Sequence, residues 1–251
     1  MTPAACRDVL APIESYLMCA TPRSGSTLLC GLLRSTGVAG RPESYFRRQD
    51  RNAYADSWGL VRAAGEAVGI TAFAQAAVAA GSTANGVFGA RIMWGTMTEL
   101  TDALADADRD RRASPLELLT RAFGHTRFLH LHRTDTISQA VSWARAEQTH
   151  RWHPGEEVVP GGHEPRFDRD LIARLVDTIH AHEAAWQDWF AGQGLVPYEI
   201  TYEELAGDPI GVTRAVLDHL GIALPANRAI TVRDHQQADA LNADWVARFR
   251  G

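Results

Sequence analysis

The sequence predicts an α/β domain: a mostly parallel sheet with helices on both faces. Three observations predict it. Short apolar runs alternate with longer helical patterns, the order that successive βαβ units produce. The first apolar run leads through a loop of small residues into a helical stretch, which is how a βαβ unit opens. The chain has 251 residues, 45% of them hydrophobic. That is enough to bury one substantial core without disulfides or metal, so a single domain over residues 1–251 is expected.

Each element has its own justification. Tyr16–Ala20 (YLMCA) is an apolar run ended by Thr21-Pro22, as expected of a buried strand. Thr27–Ser35 (TLLCGLLRS) reads as a helix that Gly37 stops. Ala63–Ala80 is rich in alanine and is expected to be helical. Val87–Met93, Arg127–His132 and Pro197–Thr201 read as further strands, with helices at Ile137–Gln148 and Leu171–Phe190. The second of these helices sets Leu171, Ile172, Leu175, Val176, Ile179, Trp186, Trp189 and Phe190 on one face, a core-packing stripe. Ala105–Pro115, with its charge run DADRDRR, reads as a solvated loop. Trp152–Arg166, rich in Pro and Gly, reads as a second loop, of a kind that serves as a lid or specificity element as often as it is disordered.

Bulk properties exclude several classes. A net charge of -5 and a pI of about 6.0 argue against nucleic-acid binding, which needs a broad basic surface. No apolar stretch reaches the ~18 residues of a membrane span, and the N-terminus shows no signal-peptide pattern. A soluble, cytoplasmic protein is expected. Cys6, Cys19 and Cys30 form no CxxC and read as reduced thiols. Every one of the 25 Lys+Arg residues is arginine. Guanidinium forks suit bidentate phosphate and sulfate contacts, although a high-GC coding bias is the better account of the composition.

The most informative segment is Thr21-Pro22-Arg23-Ser24-Gly25-Ser26-Thr27, set between a strand and a helix. Free N–H groups at a helix start, backed by the helix dipole, make an anion site. Gly25 permits close backbone approach. Ser24, Ser26 and Thr27 add hydroxyls, and Arg23 adds a planar cation. The loop is not GxxxxGK[ST], which needs a lysine and a hydroxyl for Mg²⁺, and no GxGxxG is present. A kinase or nucleotide hydrolase is the disfavoured rival. A non-catalytic nucleotide- or glycan-binding module is the other.

A second cluster points to a second anion. His132-Arg133 ends a strand, at the carboxyl edge where open α/β sheets bind ligands. Ser138 and Ser142 follow on one face of the next helix. His130 and His132 lie two apart on a strand and share a side. Two ligands do not make a zinc site, so no metal is expected.

Taken together, these segments resemble the PAPS-dependent sulfotransferases (PAPS is 3′-phosphoadenosine 5′-phosphosulfate). The likeness is greatest to the branch that holds trehalose 2-sulfotransferase and the lipopolysaccharide-type bacterial enzymes. TPRSGSTLL is similar to their 5′-phosphosulfate loop and HRTDTISQAVSWARAEQT to their 3′-phosphate segment. TGVAGRPESYF, GVFGARIMW and QADALNADWVARFR belong to the same pattern, in the same order and spacing. The resemblance implies a P-loop-like three-layer fold, PAPS as donor with PAP as product, no metal, a carbohydrate or glycolipid-type acceptor, and a homodimer. A hydroxylated secondary metabolite is the other acceptor class.

The resemblance also implies roles for residues. Arg23, Ser24, Gly25, Ser26 and Thr27 would hold the 5′-phosphosulfate, and Arg133 and Ser142 the 3′-phosphate, with Ser138 the weaker candidate. The C-terminal residues Gln237, Asn242 and Trp245 would close over the nucleotide. Arg41, Pro42, Glu43, Ser44, Tyr45, Phe46 and Trp94 would form the acceptor side. Sulfonate transfer is an in-line displacement that needs a base and cations on the moving oxygens. Glu43 is the expected base, its pKa raised by burial in the cleft. Arg23 would serve the leaving phosphate and Arg91 the sulfonate or acceptor. The branch carries its glutamate one position later, where this chain has Ser44, and an acidic residue where this chain has Arg41. Arg91 replaces a lysine and Gln236 an arginine.

Overall fold

The computed structural model describes residues 15–61, 68–150, 152, 164–232 and 240–251. In chain order these form β1 (Ser15–Ala20), α1 (Ser26–Thr36), α2 (Arg51–Ser57), α3 (Ile70–Gly81), β2 (Phe88–Met93), α4 (Trp94–Asp108), α5 (Pro115–Phe123), β3 (Thr126–His132), α6 (Thr136–Thr149), α7 (Arg169–Gly192), β4 (Tyr198–Thr201), α8 (Tyr202–Gly207), α9 (Pro209–Leu220) and α10 (Ala240–Arg250).

The four strands make one parallel sheet in the order β2-β1-β3-β4. Every residue of β1 is buried, as a central strand covered on both faces requires. The period-two alternation of its side chains divides the core. Leu17 and Cys19 join Phe88, Ala90, Ile92 and Phe128 under α3, α4, α5 and α7. Tyr16, Met18 and Ala20 join Leu129, Leu131 and Ile200 under α1 and α9. The expected helix–sheet–helix layering results. A third cluster, centred on Trp245, packs α10 onto α6 and α7.

The helix ends follow from local chemistry. Ser114 and Glu117 form a capping box ahead of α5, whose first residue is Pro115. Thr201 and Glu204 do the same for α8. Asp135, Asp168 and Asp208 each accept a backbone N–H at the start of α6, α7 and α9. Gly37 closes α1 in the left-handed region.

Two expectations need correction. Ala105–Pro115 is not all loop: α4 continues to Asp108 and stops at left-handed Arg109. Met97, Leu100 and Leu104 bury the apolar face of α4, and packing outweighs the polar run beyond it. The alanine-rich helix begins at Ile70 rather than Ala63. Residues 62–67 lie outside the described residues, and Gly69 ends the helix on that side. Cys19 and Cys30 are buried, while Cys6 lies outside the described residues. Among the described residues no helix is long and apolar enough to cross a membrane.

One tertiary bond fixes the end of β1. Trp186, fully buried, donates its indole N–H to the Ala20 carbonyl at 3.2 Å. Trp186→Phe keeps an aromatic ring but removes that donor. It is expected to cost about 1–3 kcal/mol, read from the urea unfolding midpoint. An unchanged midpoint would show that the bond contributes nothing.

Candidate active site

Strand order places the site. From β1 the chain crosses to β2 on one side, and from β3 it crosses to β4 on the other. A crevice therefore opens at the carboxyl ends of β1 and β3, the position where open α/β sheets hold ligands. The register aligns those ends: Ala20 lies opposite Met93 and Leu131, and His132 opposite Thr201. Thr21, Trp94, Arg133 and Tyr202 come next in the chain, so the topology delivers all four to one edge.

The loop after β1 is tightly wound. Arg23 (φ 64) and Gly25 (φ 93) both take left-handed conformations. Gly25 is required twice over. Its φ suits glycine, and a Cβ there would stand 2.7 Å from Cδ2 of Tyr202. It caps α1, whose first N–H groups have no intrahelical acceptor and face the crevice. Ser24 is fully buried and its Oγ has no hydrogen-bond partner. An orphaned buried hydroxyl beside a helix start fits an anionic guest.

Arg23 turns toward α6. Its Nε donates to Ser142 Oγ at 2.9 Å and its Nη1 to the Trp152 carbonyl at 2.7 Å. The residue expected on the 5′ side thus touches the serine expected on the 3′ side. Arg133 lies across the crevice with its guanidinium 4.3 Å above the Tyr202 ring. Its Nε is buried without a hydrogen-bond acceptor, Glu203 being 4.0 Å away. Ser138 bonds Asp135 Oδ2 at 2.6 Å as part of the α6 cap.

Arg91 joins the loop to the segment before α2. Its Nη1 donates to Thr27 Oγ1 at 2.8 Å and reaches Ser26 Oγ at 3.5 Å, and its Nε donates to Ser44 Oγ at 2.8 Å. Ser26, Thr27, Ser44 and Arg91 are therefore together. Glu43 is placed differently. Its carbonyl accepts the Arg91 N–H at 2.9 Å, in a parallel bridge to Ala90. Adjacent residues on an extended chain face opposite ways, and the Glu43 carboxylate pairs with Arg34 of α1 while Ser44 faces Arg91. Ala90 is in register with Leu17, so Glu43 lies roughly 10 Å short of the sheet's carboxyl edge. Its side chain is 35% exposed rather than buried in the cleft.

The rest of that segment is mostly core. Tyr45 and Phe46 are buried among Tyr54, Trp58, Phe73, Phe88 and Phe123. Pro42 is buried and Arg41 exposed. Trp94 meets Trp186 edge-on at 5.0 Å. In α10, Asn242 accepts from Arg145 at 2.6 Å, and Trp245 is fully buried against Phe167. Gln237 and Gln236 lie outside the described residues.

Behind the loop stands a charged group that sequence reasoning missed. His130, 2% exposed, bonds Glu183 through Nε2 (3.0 Å) and Glu199 through Nδ1 (2.9 Å). Burial pulls the imidazole pKa down, but the hydrogen bonds and charges of the two carboxylates outweigh it, and the pKa rises to about 9. His132 lies 3.6 Å from Glu199 and stacks on His130. Among the described residues no group of three or more His, Cys, Asp or Glu side chains is placed to hold a metal ion. Glu183 was hidden inside a helix read only for its apolar stripe. Tyr202 was within reach of the strand-end rule that singled out Arg133.

Comparison with known proteins agrees with this geometry. A model of the Stf0 sulphotransferase family matches residues 15–251. A trehalose 2-sulfotransferase of Mycobacterium tuberculosis is 31% identical, over 95% of this chain and 95% of its own. One from Mycolicibacterium smegmatis is 30% identical, over 94% of each chain. Among solved structures, the sulfotransferase domain from the Synechococcus PCC 7002 olefin synthase aligns over 97% of this chain and 89% of its own. It does so at 16% identity and a TM-score of 0.39, too low to argue from.

The loop geometry makes a direct prediction. Gly25→Ala is expected to destabilise the fold by about 1–3 kcal/mol, through left-handed strain and contact with Tyr202. Adding Tyr202→Ala should recover the contact part and leave the strain, as a urea-unfolding double-mutant cycle would show. Additive effects would mean that the two residues do not meet.

Proposed function

The chain belongs to the Stf0 sulphotransferase family, and from that premise we propose that it transfers the sulfonate of PAPS to a hydroxyl of a carbohydrate or glycolipid-type acceptor. The observation that carries the donor reading is the pair of orphaned buried groups across the crevice, Ser24 Oγ and Arg133 Nε. A nucleotide with phosphates at both the 5′ and 3′ positions would satisfy both at once. In this reading the α1 N-terminus with Ser24, Gly25, Ser26 and Thr27 takes the 5′-phosphosulfate. Arg133 takes the 3′-phosphate, together with Ser142, which Arg23 holds. The acceptor reading rests on the trehalose 2-sulfotransferases to which the chain is similar. Arg41, Ser44 and Trp94 are the side chains of the acceptor stretch left for contact, since Tyr45 and Phe46 are in the core.

In the chemical step the acceptor oxygen attacks sulfur in line, the bond from sulfur to the 5′-phosphate oxygen breaks, and PAP leaves. Helix N–H groups stabilise the departing phosphate. Arg91, held at Ser26, Thr27 and Ser44, is positioned for the equatorial oxygens, where charge-assisted donors count most. The acceptor proton goes to Glu43, the only carboxylate between Thr36 and Gln49, once its side chain leaves Arg34. The pairing with Arg34 favours a second reading, in which His132, at the carboxyl end of β3, takes the proton.

Two variants test these assignments. Arg133→Ala is expected to weaken PAP binding by about 1.5–3 kcal/mol and to narrow discrimination against adenosine 5′-phosphosulfate. Calorimetry measures both, and unchanged affinity removes Arg133 from the donor site. Glu43→Gln is expected to lower kcat by ~10²–10⁴ with the PAPS KM unchanged. Normal turnover by that variant would remove Glu43 from the role and leave it to another group such as His132, or to the substrate itself.

A further inference from the structure

A continuous chain of hydrogen bonds runs from the sheet to the first residue of the phosphate loop. Glu199 and Glu183 grip His130 from its two ring nitrogens. The other oxygen of Glu183 accepts from Thr21 Oγ1 at 2.8 Å. Thr21 Oγ1 in turn accepts from Gln139 Nε2 at 2.8 Å, and the same amide donates to the Pro22 carbonyl at 2.8 Å. Thr21 and Gln139 are wholly buried. With both carboxylates ionised, both ring nitrogens must donate, so the geometry specifies an imidazolium. None of these groups touches the face of the loop that would meet a ligand. Yet Arg23 and Gly25, two and four residues beyond Thr21, are both left-handed. A loop so wound holds its shape only if its entry is fixed.

We propose that Glu183 and His130 are positioning residues of the donor site: acting through Thr21, they hold the phosphate loop in its anion-binding form, and donor affinity depends on the charged state of His130. The proposal rests on the reading of the loop as the PAPS site.

Ionisable groups face His130 from four elements. They are Glu183 on α7, with His182 next to it in the chain, Glu199 on β4, His132 on β3 and Cys19 on β1. Phe190 covers the ring at 5.5 Å. Burial lowers the His182 pKa, and burial followed by the Glu199 charge raises that of the Cys19 thiol. His130 has a folded pKa of about 9, above the ordinary 6.5. Its contribution is therefore complete below pH 6.5 and is lost as pH rises through about 9. A neutral ring has one N–H, which leaves one carboxylate facing a lone pair.

The experiment is PAP binding by calorimetry at pH 7 and pH 9.5, on the full chain and on Glu183→Gln and Thr21→Val. NMR titration of His130 and a melting temperature accompany each protein. Wild type should bind roughly 2- to 4-fold more weakly at the higher pH, where about three-quarters of His130 is neutral. Both variants should bind roughly 5- to 30-fold more weakly than wild type at pH 7 and should lose the pH step. Thr21→Val keeps the side-chain shape and the His130 grip, so its imidazole should still titrate near pH 9 while affinity no longer follows it. Should Glu183→Gln fail to fold, Thr21→Val alone decides. A wild type that binds PAP without a pH step, or a Thr21→Val protein that binds like wild type, overturns this proposal alone. A wild type that binds no PAP overturns the donor reading and the proposal with it.

Discussion

The hydrogen-bonded seam between β1 and β3 is the constraint on which the rest of the site depends. It sets Ala20 opposite Leu131, so the chain leaves both strands at one level. The connections then diverge, one toward β2 and one toward β4. Helices cannot fill the gap this leaves, and backbone N–H groups, a hydroxyl and a guanidinium are left facing it. Burial supplies the rest. Ser24 Oγ and Arg133 Nε are shielded from water without a hydrogen-bond partner, Glu203 lying 4.0 Å from the guanidinium, a state that costs free energy. The seam also carries the fixings of the loop, because Cys19 pairs in register with His130, and Glu183, one of the two carboxylates on that ring, also holds Thr21.

Fold and site were not equally legible in the sequence. A strand is most readable where a short apolar run is ended by a polar or turn residue, as Tyr16–Ala20 is by Thr21-Pro22. The strand–loop–helix around Thr21–Thr27 was readable because its signal is local: small residues between a strand and a helix. The α4 helix was cut short because DADRDRR looks like solvent, while the residues that hold it, Met97, Leu100 and Leu104, come before that run. The His130 grip was illegible for a different reason. Glu183 and Glu199 lie 53 and 69 positions from His130, and a polar residue at the edge of an amphipathic stripe carries no local signal. Only the fold shows that the stripe of α7 ends, at Trp189 and Phe190, against Phe128 and His130 of β3.

Glu43 shows how a one-residue difference acts on an extended segment. In a helix or flexible loop, a shift of one position can be absorbed by rotation. Between Gly40 and Phe46 the backbone is tied on both sides: the Arg41 N–H donates to the Gly81 carbonyl at 2.7 Å and Glu43 bridges Ala90. Tyr45 and Phe46 are anchored in aromatic contacts. With both ends fixed, period-two alternation decides which side chain faces which way. Ser44 faces Arg91 and Glu43 faces Arg34. A glutamate at the serine's position would lie within reach of Arg91 and the loop hydroxyls. A glutamate one residue earlier must break an ion pair to come near them.

Every cation in this protein except protonated histidine is a guanidinium, and the site shows what that shape contributes. A lysine offers one point of charge. An arginine offers a planar fork that can hold two elements at once. Arg91 holds the start of α1 and Ser44 with different nitrogens, and Arg23 holds Ser142 and the Trp152 carbonyl. Arg133 lies flat on Tyr202, whose ring also closes on Gly25. These contacts order the side chains before any ligand binds, so less conformational entropy remains to be lost on binding. They also set a condition on the ligand. An anion that enters must offer Arg23 and Arg91 acceptors better than the serine, threonine and carbonyl oxygens they already hold, and charged phosphate or sulfate oxygens meet that condition where neutral hydroxyls do not.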